Sequence, residues 1–303
     1  MPQRILLTGG TGFIGQELCP VLINRGYELT VLSRQPASTV MSLCGPVETT
    51  RDLSQLRSHP GFDAIINLAG EGIADQRWSN ARKKALRDSR IGLTQTLVEV
   101  VRSWEAPPQV LVSGSAVGYY GDQGDMDVTE TTAPHDEFTH QLCRDWENAA
   151  LALTADNVRV CLSRTGIVAG PDGGFLKRMS LPFKLGLGGR LGSGQQYMPW
   201  IHRTDVVGAL TWMLENADAN GPYNVVSPNP VSNSEFTRCL GDVLHRPTLL
   251  PAPETALKVA LGDMSRLLLT GQKARPEKLL QEGFTFQFPD LRTALEDIFQ
   301  KGH

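Results

Sequence analysis

Short aliphatic and β-branched runs alternate along the first half of the chain with longer segments whose apolar positions recur every three or four residues. The runs "RILLT", "ELTVLS", "DAIINLA", "QVLVSGS" and "VRVCLSR" have the length and content of strands, and the segments between them are amphipathic helices. That alternation predicts a Rossmann-type α/β fold, a doubly wound parallel sheet, over residues 1–165. After Arg164 the texture changes. Gly- and Pro-rich connections ("AGPDGGF", "GLGGRLGSGQQ", "VSPNPVS") separate helical pieces at about 204–216, 232–245 and 253–270. Residues 166–303 therefore read as a smaller, α-rich C-terminal lobe interleaved with a few returning strands, with "GLGGRLGSG" as a mobile loop of the kind that covers sites.

Composition narrows the partners. Across 303 residues, 29 basic and 32 acidic side chains leave a formal charge of −3, with no dense basic run to hold nucleic acid or an anionic membrane. A small-molecule substrate is the expected partner, and a homodimer is compatible with this surface. The five cysteines are scattered, odd in number and without CxxC spacing, which fits a reduced compartment rather than a disulfide scaffold or a metal site. No stretch approaches 18 apolar residues and the first strand begins at Arg4, so the expected location is the cytoplasm.

The candidate chemistry begins with "LLTGGTGFIGQEL". Gly9 permits a tight turn, Gly12 lets the backbone approach a pyrophosphate, and Gly15 lets the first helix pack closely, with its amino-terminal amides toward the phosphates. At the end of the second strand, Ser33 and Arg34 stand where an NAD site would place an acidic residue. A hydroxyl followed by a guanidinium suits the 2′-phosphate of NADP instead. Asp52 and Leu53 follow the third strand and frame the adenine, and "NLAG" lines the dinucleotide with the backbone of Leu68, Ala69 and Gly70.

"TGGTGFIG", "NLAG", "SGSAVGYYGD", "RTGIVAGP" and "GSGQQYMPWIHRTDVV" resemble, in this order, the extended short-chain dehydrogenase/reductase superfamily. "INLAGEGIADQRW", "CRDWE", "PFKLGLGG" and "GQKARPEKLLQEGFTFQFPDL" are similar to its atypical epimerase-like branch, whose members keep the cofactor motif but lack the usual active-site Tyr and Lys. The resemblance implies NADP as cofactor. It adds Thr11, Phe13, Ile14, Arg90, Ser113 and the turn Gly166, Ile167 and Val168 to the cofactor-binding set.

It also implies that Ser115 bonds a substrate oxygen. Taking Glu147 as the Glu eight residues beyond the usual Tyr puts Thr139 in the Tyr slot and Cys143 in the Lys slot, and neither can do that chemistry. A one-residue shift would put His140 and Arg144 there, an i, i+4 pair able to supply an acid/base and a cation. Tyr119 and Tyr120, on the loop leaving the fifth strand, are with Ser115 the catalytic candidates: one is a pocket wall, and a phenol there can donate to a substrate carbonyl oxygen, with a pKa near 10 that slows proton transfer. His202 and Asp205 in "PWIHRTD" belong to a segment that the resemblance implies to be architectural.

The implied function is an NADP(H)-dependent oxidoreductase or epimerase-like enzyme acting on a small carbonyl or hydroxyl compound. The alternatives are a non-catalytic NADP(H)-binding regulator and, less favoured, a nucleotide-sugar epimerase.

Overall fold

A computed structural model describes residues 4–301. Seven parallel strands form the central sheet: β1 Arg4–Thr8, β2 Glu28–Leu32, β3 Glu48–Thr50, β4 Ala64–Asn67, β5 Val110–Ala116, β6 Arg159–Thr165 and β7 Gly221–Val225. Their spatial order is 7-6-5-4-1-2-3, with the reversal between β1 and β4, so the carboxyl ends of those two strands flank the crevice where doubly wound folds bind ligands.

Successive residues of each strand point into different cores. Ile5, Leu7, Ala64, Ile66, Val110 and Val112 pack against α1 (Gly15–Asn24) and α7 (Arg203–Glu215). Leu6, Ile65 and Leu111 pack against α4 (Leu93–Val101) and the end of α5 (Phe138–Leu151). Both faces of the sheet are covered, which is why its strands read as continuous apolar runs.

The C-terminal lobe has its own core around Trp200, where α6 (Gly174–Lys184), α8 (Asn233–Leu244) and the helix Leu291–Lys301 meet. Ser232 and Glu235 close a reciprocal capping box at the start of α8, as "VSNSEF" requires. The helical piece expected over 253–270 is broken. Helix α9 (Glu254–Leu261) stops at Gly262, whose φ is +59°, and α10 (Arg266–Leu269) follows a short 3-10 turn. Among the described residues, no helix is long and apolar enough to cross a membrane.

Candidate functional site

The glycine turn leaves β1 at Gly9, where φ is +74° and an added Cβ would lie 2.7 Å from the backbone of Leu68. Gly15 is equally confined, since a Cβ there would fall 2.4 Å from the Gly10 carbonyl oxygen. Gly12 differs. It is exposed, and its only near neighbour is the Gly9 oxygen at 3.1 Å, so its open side faces the crevice. The amides of Phe13 and Ile14, just ahead of α1, have no protein acceptor among the described residues. Together these groups form a cradle into which a pyrophosphate fits. The Phe13 ring turns toward the lobe, packed on Gly173 and 4.6 Å from the Arg203 guanidinium, so only its backbone serves the cradle. The Thr11 carbonyl accepts from Gln16 at 2.9 Å and is tied to α1.

Strand β2 lies beside β1 in register, Thr8 opposite Leu32, which brings Ser33 and Arg34 alongside the turn. The Ser33 hydroxyl accepts from the Gln35 amide, whereas exposed Arg34 has no ion-pair partner among the described residues. Asp52 caps the turn Leu53–Leu56 by accepting from the Ser54 amide at 2.8 Å, a bond that lowers its pKa. Leu53 points into the core.

Beneath the crevice a buried network holds "NLAG". Asn67 accepts from Thr8 at 2.7 Å and donates to Thr94 and Ser113, and Thr8 accepts from the Ala69 amide. Ser113 is completely buried, its hydroxyl accepting from Asn67 at 3.4 Å and donating to the Gly114 carbonyl at 3.5 Å. Arg90 is likewise turned inward. It donates to the Glu71 carbonyl at 2.8 Å and lies against Gly70 and over Trp146, with burial lowering its pKa.

At the carboxyl ends of β5 and β6 a cleft of about 270 Å³ opens between sheet and lobe. Gly118, Thr139, Cys143, Gly166 and Ile167 line its inner side. Of the two registers, the one with Thr139 and Cys143 faces this cleft. An added Cβ on Gly118 would lie 3.2 Å from Thr139 and 3.8 Å from the Cys143 sulfur. Burial, then the Glu147 carboxylate, push the Cys143 thiol up to about 12, so it is neutral at physiological pH. His140 is buried, not polar surface, with Nδ1 bonded to the Tyr119 carbonyl at 2.7 Å. Arg144 is exposed and paired with its neighbour Asp145. The cleft lining includes neither His140 nor Arg144.

The three expected catalytic side chains lie behind the cleft wall rather than in it. The Ser115 hydroxyl donates to Glu147 Oε1 at 2.6 Å. Glu147 is gripped by Arg164 through two bonds of 2.8 Å, both side chains being about 5% exposed. Burial alone would lower the Arg164 pKa, but the bonds to Glu147 outweigh it and raise it. The Tyr120 hydroxyl donates to Asn224 at 2.7 Å, accepts from Arg164 at 2.9 Å, and is pushed up to about 12, chiefly by burial. Arg164 also stacks on the Tyr119 ring at 3.5 Å. Ser115 and Tyr120 thus belong to a packed polar cluster, and the half-buried Tyr119 ring lies against it.

Arg164, the centre of that cluster, was missed by sequence reasoning, although a charge within a buried strand signals the need for a buried carboxylate. His202 and Asp205 are architectural: His202 caps α7, and Asp205 accepts from the Gln287 and Phe288 amides at 2.7 and 3.0 Å. The turn after β6 keeps its place at the cleft. Gly166 donates to Val225 and Ile167 to Pro199, and a Cβ on Gly166 would lie 2.0 Å from the Pro199 oxygen. Val168 continues as a short strand paired with Ile201.

Comparison with known proteins places this geometry. Residues 5–226 match the NAD dependent epimerase/dehydratase family, and residues 252–298 match a domain of unknown function, DUF1731. The chain is 39% identical over 301 residues to the epimerase family protein SDR39U1 of Bos taurus, covering 98% of this chain and 99% of that one. It is 36% identical over 298 residues to the epimerase family protein YfhF of Bacillus subtilis, covering 98% of each. The crystal structure of human SDR39U1 (isoform 2) with NADPH superposes with a TM-score of 0.90 at 36% identity, covering 98% of this chain and 99% of that one. The sheet order agrees with these likenesses, and the chain belongs to the NAD dependent epimerase/dehydratase family as an atypical extended short-chain dehydrogenase/reductase.

Proposed function

We propose that this chain is an NADP(H)-dependent oxidoreductase acting on a small carbonyl or hydroxyl compound. The observation that carries the reading is the pairing of a cradle with unbonded amides at Phe13 and Ile14 with a formed cleft, lined by Gly166 and Ile167, at the carboxyl edge of the same sheet. A protein that only stored a nucleotide would need the cradle and not the cleft. The solved relative with NADPH supports the choice of cofactor, as does Arg34, exposed beside the turn and available to a 2′-phosphate.

When bound, the nicotinamide supplies hydride transfer. This chain's residues do the rest. The amides ahead of α1 hold the pyrophosphate, Ser33 and Arg34 select the 2′-phosphate, and the Gly166 turn shapes the floor beneath the reacting end. Thr139 presents a hydroxyl that orients the substrate oxygen, and the accompanying proton exchanges with water.

A second reading, a non-catalytic NADP(H)-binding regulator, is favoured by one observation: neutral Thr139 and Cys143 stand where a proton relay would be. Following NADPH absorbance in the holo-protein against a panel of aldehydes and ketones, and NADP⁺ reduction against the matching alcohols, separates the two. Substrate-dependent turnover is expected. Tight NADPH binding with no turnover by any compound would overturn the enzyme reading in favour of the regulator.

A further inference from the structure

The polar groups of the cleft are mostly spent on the protein itself. Gln196 donates to the carbonyls of Leu191 and Leu268 at 3.0 and 2.7 Å, and Gln272 donates to that of Gly121 at 2.6 Å. Asn233 accepts from the Leu191 amide at 2.8 Å and points its own amide at the Met198 sulfur. The Thr165 and Thr270 hydroxyls donate to the Ser163 and Arg266 carbonyls.

Among the described lining residues two are cations, and both are neutralised. Lys83 pairs with Asp263 at 2.9 Å, and Arg266 pairs with Glu137 at 2.7 Å. Among the described lining residues, the side-chain hydroxyls left without a protein partner are those of Thr139 and Tyr197. The remaining wall is carbon, supplied mainly by Trp78, Phe138, Phe175, Met198, Leu267 and Leu268.

From this we infer that the cleft takes an uncharged, mainly apolar molecule of one or two rings carrying one or two oxygens, and not a nucleoside-diphosphate sugar. A diphosphate would enter with its charges desolvated and no free cation to meet them, which is costly in an apolar cavity. An apolar ring loses nothing on entry, and its oxygen finds Thr139 or Tyr197. The size agrees, since a cavity of about 150 Å³ holds benzene and this cleft has about 270 Å³. The inference rests on the cleft being the substrate site of the proposed oxidoreductase, but concerns binding rather than turnover.

The test is calorimetry on the holo-protein at saturating NADPH, which keeps nucleotides out of the cofactor cradle. Acetophenone, cinnamaldehyde and 1-phenylethanol are the apolar probes; UDP-glucose and UDP-glucuronate are the charged ones. At least one apolar probe should bind ten-fold or more tightly than either UDP-sugar. Thr139→Val combined with Tyr197→Phe should weaken the oxygenated probes five-fold or more while leaving ethylbenzene unchanged. Asp263→Asn, which frees Lys83, should narrow the gap between the two classes. UDP-sugars binding more tightly than every apolar probe, or neither class binding at millimolar concentration, would overturn the inference. Binding of the apolar probes without turnover would leave it standing and remove the oxidoreductase reading alone.

Discussion

At the amino end of α1 the Phe13 and Ile14 amides and the Arg34 guanidinium have no protein partner among the described residues. Behind α5, by contrast, the Ser115 hydroxyl, the Glu147 carboxylate, the Arg164 guanidinium and the Tyr120 phenol are all bonded to one another or to Asn224. Both are sets of polar groups at the carboxyl edge of one sheet. They differ in what satisfies them. Polar groups that face open space without partners are kept for a ligand, whereas buried polar groups that satisfy one another hold the fold.

The sharpest way to break this comparison is to remove one member of the buried cluster. Arg164→Met leaves Glu147 charged and unpaired in the interior and should cost about 3–5 kcal/mol, read as a lowered urea midpoint at unchanged slope. Replacing both partners, as Glu147→Leu with Arg164→Met, should cost clearly less than the two single changes added together. A single-variant loss below about 1 kcal/mol would show that the cluster does not hold α5 to β6.

On the cradle side, Arg34→Ala should weaken NADPH by about 1.5–3 kcal/mol, the worth of a charge-assisted bond, and leave NADH affinity and the unfolding midpoint unchanged. Equal losses for both cofactors by calorimetry would move the 2′-phosphate away from Arg34. Tyr120→Phe should cost about 1–2 kcal/mol of stability by orphaning Asn224 and part of Arg164. NADPH affinity and any turnover should be untouched, because the phenol lies behind the cleft wall.

The Cys143 thiol gives a pH test. Its folded value, about 12, lies above the ordinary 9.0, so the stabilisation is complete below pH 9 and is lost as pH rises toward 12. Tyr120, raised from 10.0 to about 12, adds to the loss above pH 10. Urea midpoints measured from pH 8 to 11 should fall in that window, and less steeply in Cys143→Ala. In native protein at pH 8, iodoacetamide should leave Cys143 unmodified by mass spectrometry. Arg144→Ala, at the exposed end of the same helix, should change stability by no more than about 0.5 kcal/mol and cofactor affinity not at all.

The strands and the glycine turn were legible because their signals are local: run length, β-branching, and glycines placed between a strand and a helix. Helix α5 was legible only in part. Helical spacing gives an apolar stripe of Phe138, Leu142, Cys143 and Trp146; the last three are buried, Phe138 is half-buried at the cleft, and His140 and Glu147 are buried as well. Those two are buried because Tyr119, Ser115 and Arg164 come from other elements to bond them, and no spacing within α5 encodes that. The same holds for Ser113, Ser115 and Tyr120. They stand near the sheet edge, yet which way a hydroxyl faces depends on partners 32 to 104 residues away.

Strand β7 carries a consequence for how the chain is made. It completes the sheet by pairing with β6 along Gly221–Val225, and Asn224 at its end receives the Tyr120 phenol. Arg159 at the start of β6 donates to the Met213, Leu214 and Ala219 carbonyls, binding the end of α7 and the approach to β7. During synthesis, then, β6 remains a bare edge until residue 225 has emerged, and the nucleotide-binding half is sealed by residues from the lobe that follows it. A fragment ending near residue 165 should collapse and associate through that edge, while one reaching past residue 225 has the strand needed to close it.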